Sequence, residues 1–271
     1  MKLGIVSDEV SKDLRVAAEW AKARKISRFE LRNVWGNRLP DVSKDQLTEI
    51  KTMLNHYGII VTGISPGTYK CALHEPDFAS QPERLLRTME CADFLGTKKI
   101  ISFGVKKEPD DTPDDKKRVI ETLQLICEKG RDNGFVICLE NEPGYYNGMP
   151  DEIEAVQKAV LPYGGMLNWD MGNLFMSGFS EYKEYYERFK PYIASVHMKD
   201  YRREDGVCVP MGEGCIDWNG QINDLLADDL QLNGKELDMN IETHCSPEYE
   251  QATKCYDYIK KILGERLNEV L

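Results

Sequence analysis

One phrase recurs along this chain: a helix-like periodic stretch, a glycine, a short apolar run, then polar residues. Gly58 precedes Ile59-Ile60-Val61-Thr62-Gly63-Ile64, and Gly96 precedes a similar run at 98–103. Gly134 precedes Phe135-Val136-Ile137-Cys138-Leu139, and Gly164-Gly165 precede Met166-Leu167-Asn168-Trp169. A glycine just past a helix takes the left-handed conformation cheaply, so each one marks where a helix stops and a strand begins. Helix starts are marked as well. Ser43-x-x-Gln46 and Ser80-x-x-Glu83 have capping-box spacing, while Thr112-Pro113 and Ser246-Pro247 read as an N-cap followed by proline at the first helical position.

Eight strands are predicted, near 3–7, 28–32, 59–64, 98–103, 135–140, 165–170, 193–198 and 238–242, with helical patterns between them. Strict alternation repeated eight times implies a parallel sheet covered by helices. Closure is the commonest solution at this count, so the expected fold is α/β, a single (β/α)8 TIM barrel domain over residues 1–271. A doubly wound open sheet is the rival, weakened because no G-x-G-x-x-G follows the first strand. Residues 202–216 form the longest irregular segment, expected as an active-site loop between the seventh strand and its helix.

Bulk properties narrow the function classes. No apolar run approaches the roughly 20 residues that span a bilayer, and the N-terminus enters a strand pattern without a signal-peptide core. The expectation is a soluble cytoplasmic protein without a membrane partner. A net charge of −11 repels phosphate backbones, so no nucleic-acid partner is expected. The eight cysteines contain no C-x-x-C, and Cys91, Cys127 and Cys138 fall inside helix or strand patterns; they read as reduced thiols.

In a barrel of this kind catalytic residues stand at the C-terminal ends of the strands. Those ends carry Glu30 on the second strand, Glu140 on the fifth, Asp170 on the sixth, His197 on the seventh and Glu242 on the eighth. Four consecutive strands thus end in residues able to ligate a divalent cation, and without one the carboxylates would repel one another. Oxygen donors with one imidazole suit Mn²⁺, Mg²⁺, Co²⁺ or Zn²⁺, with a tilt toward the harder ions.

The motifs Leu139-Glu140-Asn141, Trp169-Asp170-Met171-Gly172-Asn173, Val196-His197-Met198-Lys199-Asp200, Gly212-Glu213-Gly214-Cys215-Ile216-Asp217 and Ile241-Glu242 resemble the xylose isomerase-like barrel superfamily. Within it, the chain looks like the sugar phosphate isomerase/epimerase group, which includes tagatose/psicose 3-epimerases, hydroxypyruvate isomerases and inosose-processing enzymes. The resemblance implies one divalent ion, Mn²⁺ first, held by Glu140, Asp170, His197 and Glu242. It also implies that Glu140 and Glu242 act as an acid/base pair on opposite faces of a small sugar or polyol substrate, removing and returning a proton α to a carbonyl.

Several positions depart from the family pattern. Asn173 stands where many members carry histidine, and Tyr146 stands where epimerases place an acidic residue, with Glu142 nearby. Arg203 occupies the place of a substrate-binding arginine, although a solvated loop charge is an equal reading. Lys199 shares the side of the strand used by His197. Asn173, Lys199, Arg203, Glu142 and Tyr146 are therefore the expected substrate contacts. Asp200 is expected to orient a ligand or to pair with Lys199, Asp217 to cap a helix, and His244 to support Glu242 from behind.

The alternatives are a lyase on the same scaffold, of the inosose or dehydroshikimate dehydratase type, an abasic-site endonuclease, and a non-catalytic barrel. The endonuclease reading suffers from the small number of histidines, four in all, and from the acidic surface. The absence of a phosphate-cradling glycine loop mildly favours an unphosphorylated substrate. A homo-oligomer is left open.

Overall fold

The glycine and capping signals translate directly into element boundaries. Gly58 and Gly96, at φ +69° and +87°, end α2 (Lys44–Tyr57) and α3 (Gln81–Leu95). Ser43 and Gln46 form a reciprocal capping box on α2, and Thr112 with Asp115 does the same on α4 (Pro113–Asp132). Two expected caps are displaced. Ser80 follows a 3-10 turn over Pro76–Ser80, so its backbone is already helical and its hydroxyl donates to Asp77 O instead. At the last long helix, α9 (Glu248–Leu263), Pro247 itself is the extended cap and the helix begins one residue later.

The computed structural model describes residues 1–232 and 234–271. Its barrel strands are β1 (Lys2–Val6), β2 (Arg28–Leu31), β3 (Ile60–Ile64) and β4 (Lys99–Phe103). They continue as β5 (Val136–Glu140), β6 (Gly165–Asp170), β7 (Ile193–Met198) and β8 (Asp238–Ile241). Each pairs in parallel with its sequence neighbour, and β8 closes on β1 to complete a single (β/α)8 TIM barrel. The remaining helices are α1 (Leu14–Ala23), α5 (Pro150–Val160), α6 (Met171–Met176), α7 (Tyr182–Phe189), α8 (Trp218–Asp228) and α10 (Leu267–Val270). No described helix is long and apolar enough to cross a membrane.

Helices pack through apolar stripes. On α4, Val119, Leu123, Ile126 and Cys127 are buried at helical spacing, and a fully buried leucine of this kind contributes roughly 1.5–3 kcal/mol. Inside the barrel a separate layer joins Ile101, Cys138 and Ala194 with Val136, Met166 and Leu232. Strand side chains alternate, so Cys138 and Glu140 share a face, as do Met166 and Asp170. The apolar layer is therefore a floor beneath the acidic rim. All eight cysteines are free thiols.

The two register irregularities lie under that rim. The β2–β3 pairing shifts between Phe29 and Glu30, and the β6–β7 pairing shifts between Leu167 and Asn168. Such bulges re-aim side chains near functional sites. Here they accompany Glu30 and Asn168, both wholly buried beneath the rim.

Candidate metal centre and active site

Each strand delivers one donor to a common point. Glu140 is the last residue of β5, Asp170 the last of β6, His197 the penultimate of β7, and Glu242 follows β8 directly. One potential ligand atom from each lies within 4.8 Å of all the others, and all four residues are buried.

His197 is fixed from below. Its Nε2 lies 3.0 Å from both oxygens of Glu30, whose Oε2 also accepts from Asn240 Nδ2 at 3.1 Å. With Nε2 committed to Glu30, Nδ1 is the ring nitrogen that faces the centre, where a cation would take the place of its proton. Nδ1 makes no hydrogen bond, although Glu242 Oε2 and Glu140 Oε2 stand 3.1 and 3.3 Å away.

Asp170 divides its two oxygens. Oδ1 accepts from Asn173 N at 2.8 Å, capping α6, while Oδ2 faces the centre. Lys199 Nζ lies 2.7 Å from Oδ2 as an ion pair lacking hydrogen-bond alignment, and it donates to Glu242 Oε2 at 3.0 Å. Glu140 accepts from Asn173 Nδ2 at 3.1 Å and Asn168 Nδ2 at 3.4 Å. The other oxygen of Glu242 accepts from Arg32 at 2.9 Å. Arg32 in turn is held by Asp8 and Glu9.

The electrostatics follow from burial and like charge. Burial lifts the Asp170 carboxyl to about 6; Lys199 opposes the rise, and Glu140 and Glu242 reinforce it. Burial alone would also lift Glu242, but His197, Lys199 and His244 hold it well below the usual carboxylate range. For His197 burial disfavours the charge, yet Glu242, Glu30 and Glu140 outweigh it and raise its pKa well above the ordinary imidazole value. Four buried carboxylates, counting Glu30, thus crowd His197, Lys199 and one nitrogen of Arg32. Buried charge of this kind requires cationic compensation. Three carboxylates and an imidazole, with Asp170 Oδ2 and His197 Nδ1 lacking hydrogen bonds, fit a divalent cation.

Above the centre opens a cavity of about 480 Å³, whose walls include Glu140, Asn173, Lys199 and Glu242. A larger cavity of about 660 Å³ lies at the opposite end of the barrel, beside the strand starts, where Arg28 and Lys99 both pair with Asp238. It gathers none of the clustered donors, so the smaller one is the candidate active site.

A family model described as a xylose isomerase-like TIM barrel matches residues 18–261. The chain belongs to that family. A search of curated proteins finds no match. Solved structures extend the likeness over the whole barrel. The probable 3-DHS dehydratase AsbF of Bacillus anthracis superposes with a TM-score of 0.79 at 16% identity, covering 96% of this chain and 99% of that one. D-allulose 3-epimerase from Methylomonas sp., in complex with D-allulose, gives 0.74 at 16% identity, covering 96% of each chain. A xylose isomerase-like TIM barrel protein of Mycobacterium smegmatis, in complex with magnesium, gives 0.71 at 21% identity, covering 93% and 89%. At these identities the likeness establishes the fold.

The xylose isomerase-like barrel brings some expected substrate contacts together and not others. Asn173, Lys199 and Glu142 line the cavity with Glu140 and Glu242. Glu142 pairs with Lys70 through Oε1 at 2.9 Å, while its buried Oε2 has no hydrogen-bond partner. Tyr146 and Arg203 do not line it. The Tyr146 hydroxyl donates to Asp111 at 2.7 Å, and exposed Arg203 lies over the Phe175 ring at 5.2 Å. Asp200 does not pair with Lys199; its carboxylate accepts from the backbone N–H groups of Tyr201, Gly212, Gly214 and Ile216, tying down the 202–216 loop. Asp217 does cap α8, accepting from Gly220 N. His244 lies 3.3 Å from Glu242 and lines the cavity.

Sequence reasoning missed Arg32, Asp8 and Glu9. They follow the ends of β2 and β1, so the strand-end rule pointed at them. A search restricted to ligand types passed over an arginine and its two acidic anchors.

Proposed function

We propose that this barrel is a divalent-metal-dependent isomerase or epimerase that removes and returns a proton α to the carbonyl of a ketose, inosose or related polyol. The observation that carries this reading is the convergence of Glu140 and Glu242, from strands three apart around the rim, on one buried point inside a cavity of small-molecule size. Glu140, Asp170, His197 and Glu242 would hold the ion. When bound, a divalent cation supplies Lewis-acid stabilisation of the negative charge that develops on the substrate oxygens.

The protein's own groups account for the proton's path. One glutamate takes the proton from carbon, and the electron pair of the C–H bond moves toward the carbonyl oxygen. Return of a proton from the opposite glutamate to the same carbon inverts it, and return to the neighbouring carbon isomerises the substrate. Lys199, with Asp170 and Glu242 beside it, keeps its proton to higher pH than an ordinary lysine and adds positive charge beside the developing oxyanion. Asn173 Nδ2 positions Glu140, and Arg32 positions Glu242. The unpartnered Glu142 Oε2 is available to accept from a substrate hydroxyl.

The test is deuterium exchange at the α-carbon, followed by NMR, over a panel of ketoses, inososes and 3-keto-sugars with Mn²⁺ or Mg²⁺. Glu140→Gln and Glu242→Gln are each expected to cut exchange by at least about 10²-fold, the lower bound for losing a positioned acid or base. Near-normal turnover in either variant would rule out the two-carboxylate mechanism.

A dehydratase is the second reading, favoured by His244. Glu242 raises its pKa above the ordinary imidazole value, and it lines the cavity where a β-hydroxyl would depart. Loss of water after exchange, rather than return of the proton, would establish this alternative.

A further inference from the structure

The cations around the cavity are not equivalent. Arg32 is paired with Asp8, Glu9 and Glu242; Lys70 with Glu142; Lys199 with Asp170 and Glu242. Arg38 is the exception. It lines the same cavity, yet among the described residues no carboxylate stands within ion-pair distance of it. Its Nε and Nη2 both donate to the single carbonyl of Ser65, just past β3, at 3.3 and 3.1 Å, and Nη1 has no protein acceptor among the described residues.

This placement is built. Arg38 ends a short hairpin, Asn33–Val34 with Asn37–Arg38, that follows β2. Its guanidinium lies against Gly67, where an added β-carbon would stand 2.8 Å from Arg38 Cζ; Gly67 is itself at φ +74°. The left-handed turn at Gly67, which favours glycine by its φ alone, thus leaves the space that the guanidinium fills. Burial, and then Arg32 beside it, lowers the Arg38 pKa from its ordinary value, as expected for a cation short of counter-charge. In a chain with 46 acidic and 35 basic residues, a partly buried guanidinium with no carboxylate at ion-pair distance among the described residues is a donor fork free for a ligand. Such a fork matches carboxylate and phosphate oxygens.

We propose that the substrate bears an anionic group, a carboxylate or a phosphate, which docks on Arg38 while its hydroxyls and carbonyl face Glu140 and Glu242. This rests on reading the cavity as the site of a small polyhydroxylated substrate, and it adds an anionic group where the sequence mildly favoured only the absence of a phosphate.

The experiment measures binding of three unreactive probes to the full chain by calorimetry at low salt: D-glucitol, D-gluconate and D-glucitol 6-phosphate. At least one anion is expected to bind about tenfold or more tightly than glucitol. That preference should vanish in Arg38→Gln and partly return in Arg38→Lys, with circular dichroism verifying the fold of each. A preference confined to gluconate assigns a carboxylate, and one confined to the 6-phosphate assigns a phosphate. Equal binding of all three, no binding at millimolar concentration, or a preference that survives Arg38→Gln would overturn the proposal. None of the probes carries an aldehyde or ketone, so the result is independent of exchange chemistry. Anion preference without exchange on any ketone would count against the proton-transfer reading alone.

Discussion

Glu30 lies at the level of single residues where the site's logic is clearest. It is wholly buried, and both its oxygens point at His197 Nε2. A carboxylate behind a ligating imidazole fixes the tautomer and raises its basicity, and losing it usually costs 10–100-fold in metal affinity. Glu30→Gln, which keeps the shape and removes the charge, is expected to weaken divalent-ion binding by about tenfold, read by competition with a fluorescent chelator. Unchanged affinity would reduce Glu30 to barrel filling. Gly172 is the second informative residue. A β-carbon there would stand 2.6 Å from Lys199 Cγ and 2.9 Å from Tyr201 Cε2, so the glycine is what lets the Lys199 stem cross α6. Gly172→Ala should destabilise the fold by roughly 1–3 kcal/mol of overpacking, measured by urea unfolding, and should displace Lys199 from Asp170. The sequence displayed Glu30 at a strand end but not its partner, because the pairing joins residues 167 positions apart. Nor did it display the room that Gly172 makes, which exists only once β6 and β7 are side by side.

At the scale of elements, legibility depends on whether a signal is local. Capping and glycine termination are decided within four residues, and the eight strands accordingly fall where apolar runs and glycines place them. Thr112 offers a direct check. Its hydroxyl accepts from Asp115 N at 3.2 Å while Asp115 accepts from Thr112 N at 3.0 Å. Thr112→Ala should lower the urea midpoint by an amount equivalent to about 1 kcal/mol, with an unchanged m-value. A shift near zero would mean that α4 is held by its apolar stripe alone. Signals failed where a neighbouring element intruded. Ser80 has capping-box spacing, but the 3-10 turn before it already sets its backbone in the helical region. The 202–216 loop appeared irregular in sequence because its order comes from a two-residue ladder, Asp200–Tyr201 with Cys208–Val209, and from the Asp200 carboxylate, which gathers backbone N–H groups from up to sixteen residues away. Tyr146 and Arg203 were placed by analogy with a pattern, and their own neighbours, Asp111 and Phe175, drew them elsewhere.

For the molecule as a whole, the acidic centre is a stability term as well as a chemical one. The Asp170 carboxyl is raised to about 6 from 3.8, chiefly by burial, so its ionisation works against the metal-free fold as pH climbs between those values. A cation that needs the ionised form offsets this cost and competes with the proton, so its stabilising effect should grow over the same interval. At free ion about 100 times its dissociation constant, binding to the native state alone contributes about 2.7 kcal/mol. For a chain near this size that corresponds to a rise in Tm of roughly 5–10 °C. Differential scanning calorimetry at pH 7, in excess Mn²⁺ or Mg²⁺ and then in excess chelator, should show that increment, with one ion per chain by metal analysis. The increment should shrink as pH falls below about 6, where the Asp170 proton competes. Asp170→Asn should remove most of it while raising the melting temperature in chelator, since a neutral amide escapes the crowding by Glu140 and Glu242. A wild-type Tm indifferent to chelator, together with no gain for Asp170→Asn, would mean that Lys199 and His197 balance the cluster unaided. The proposed metal dependence would then fall, while the barrel and its Arg38 seat would stand.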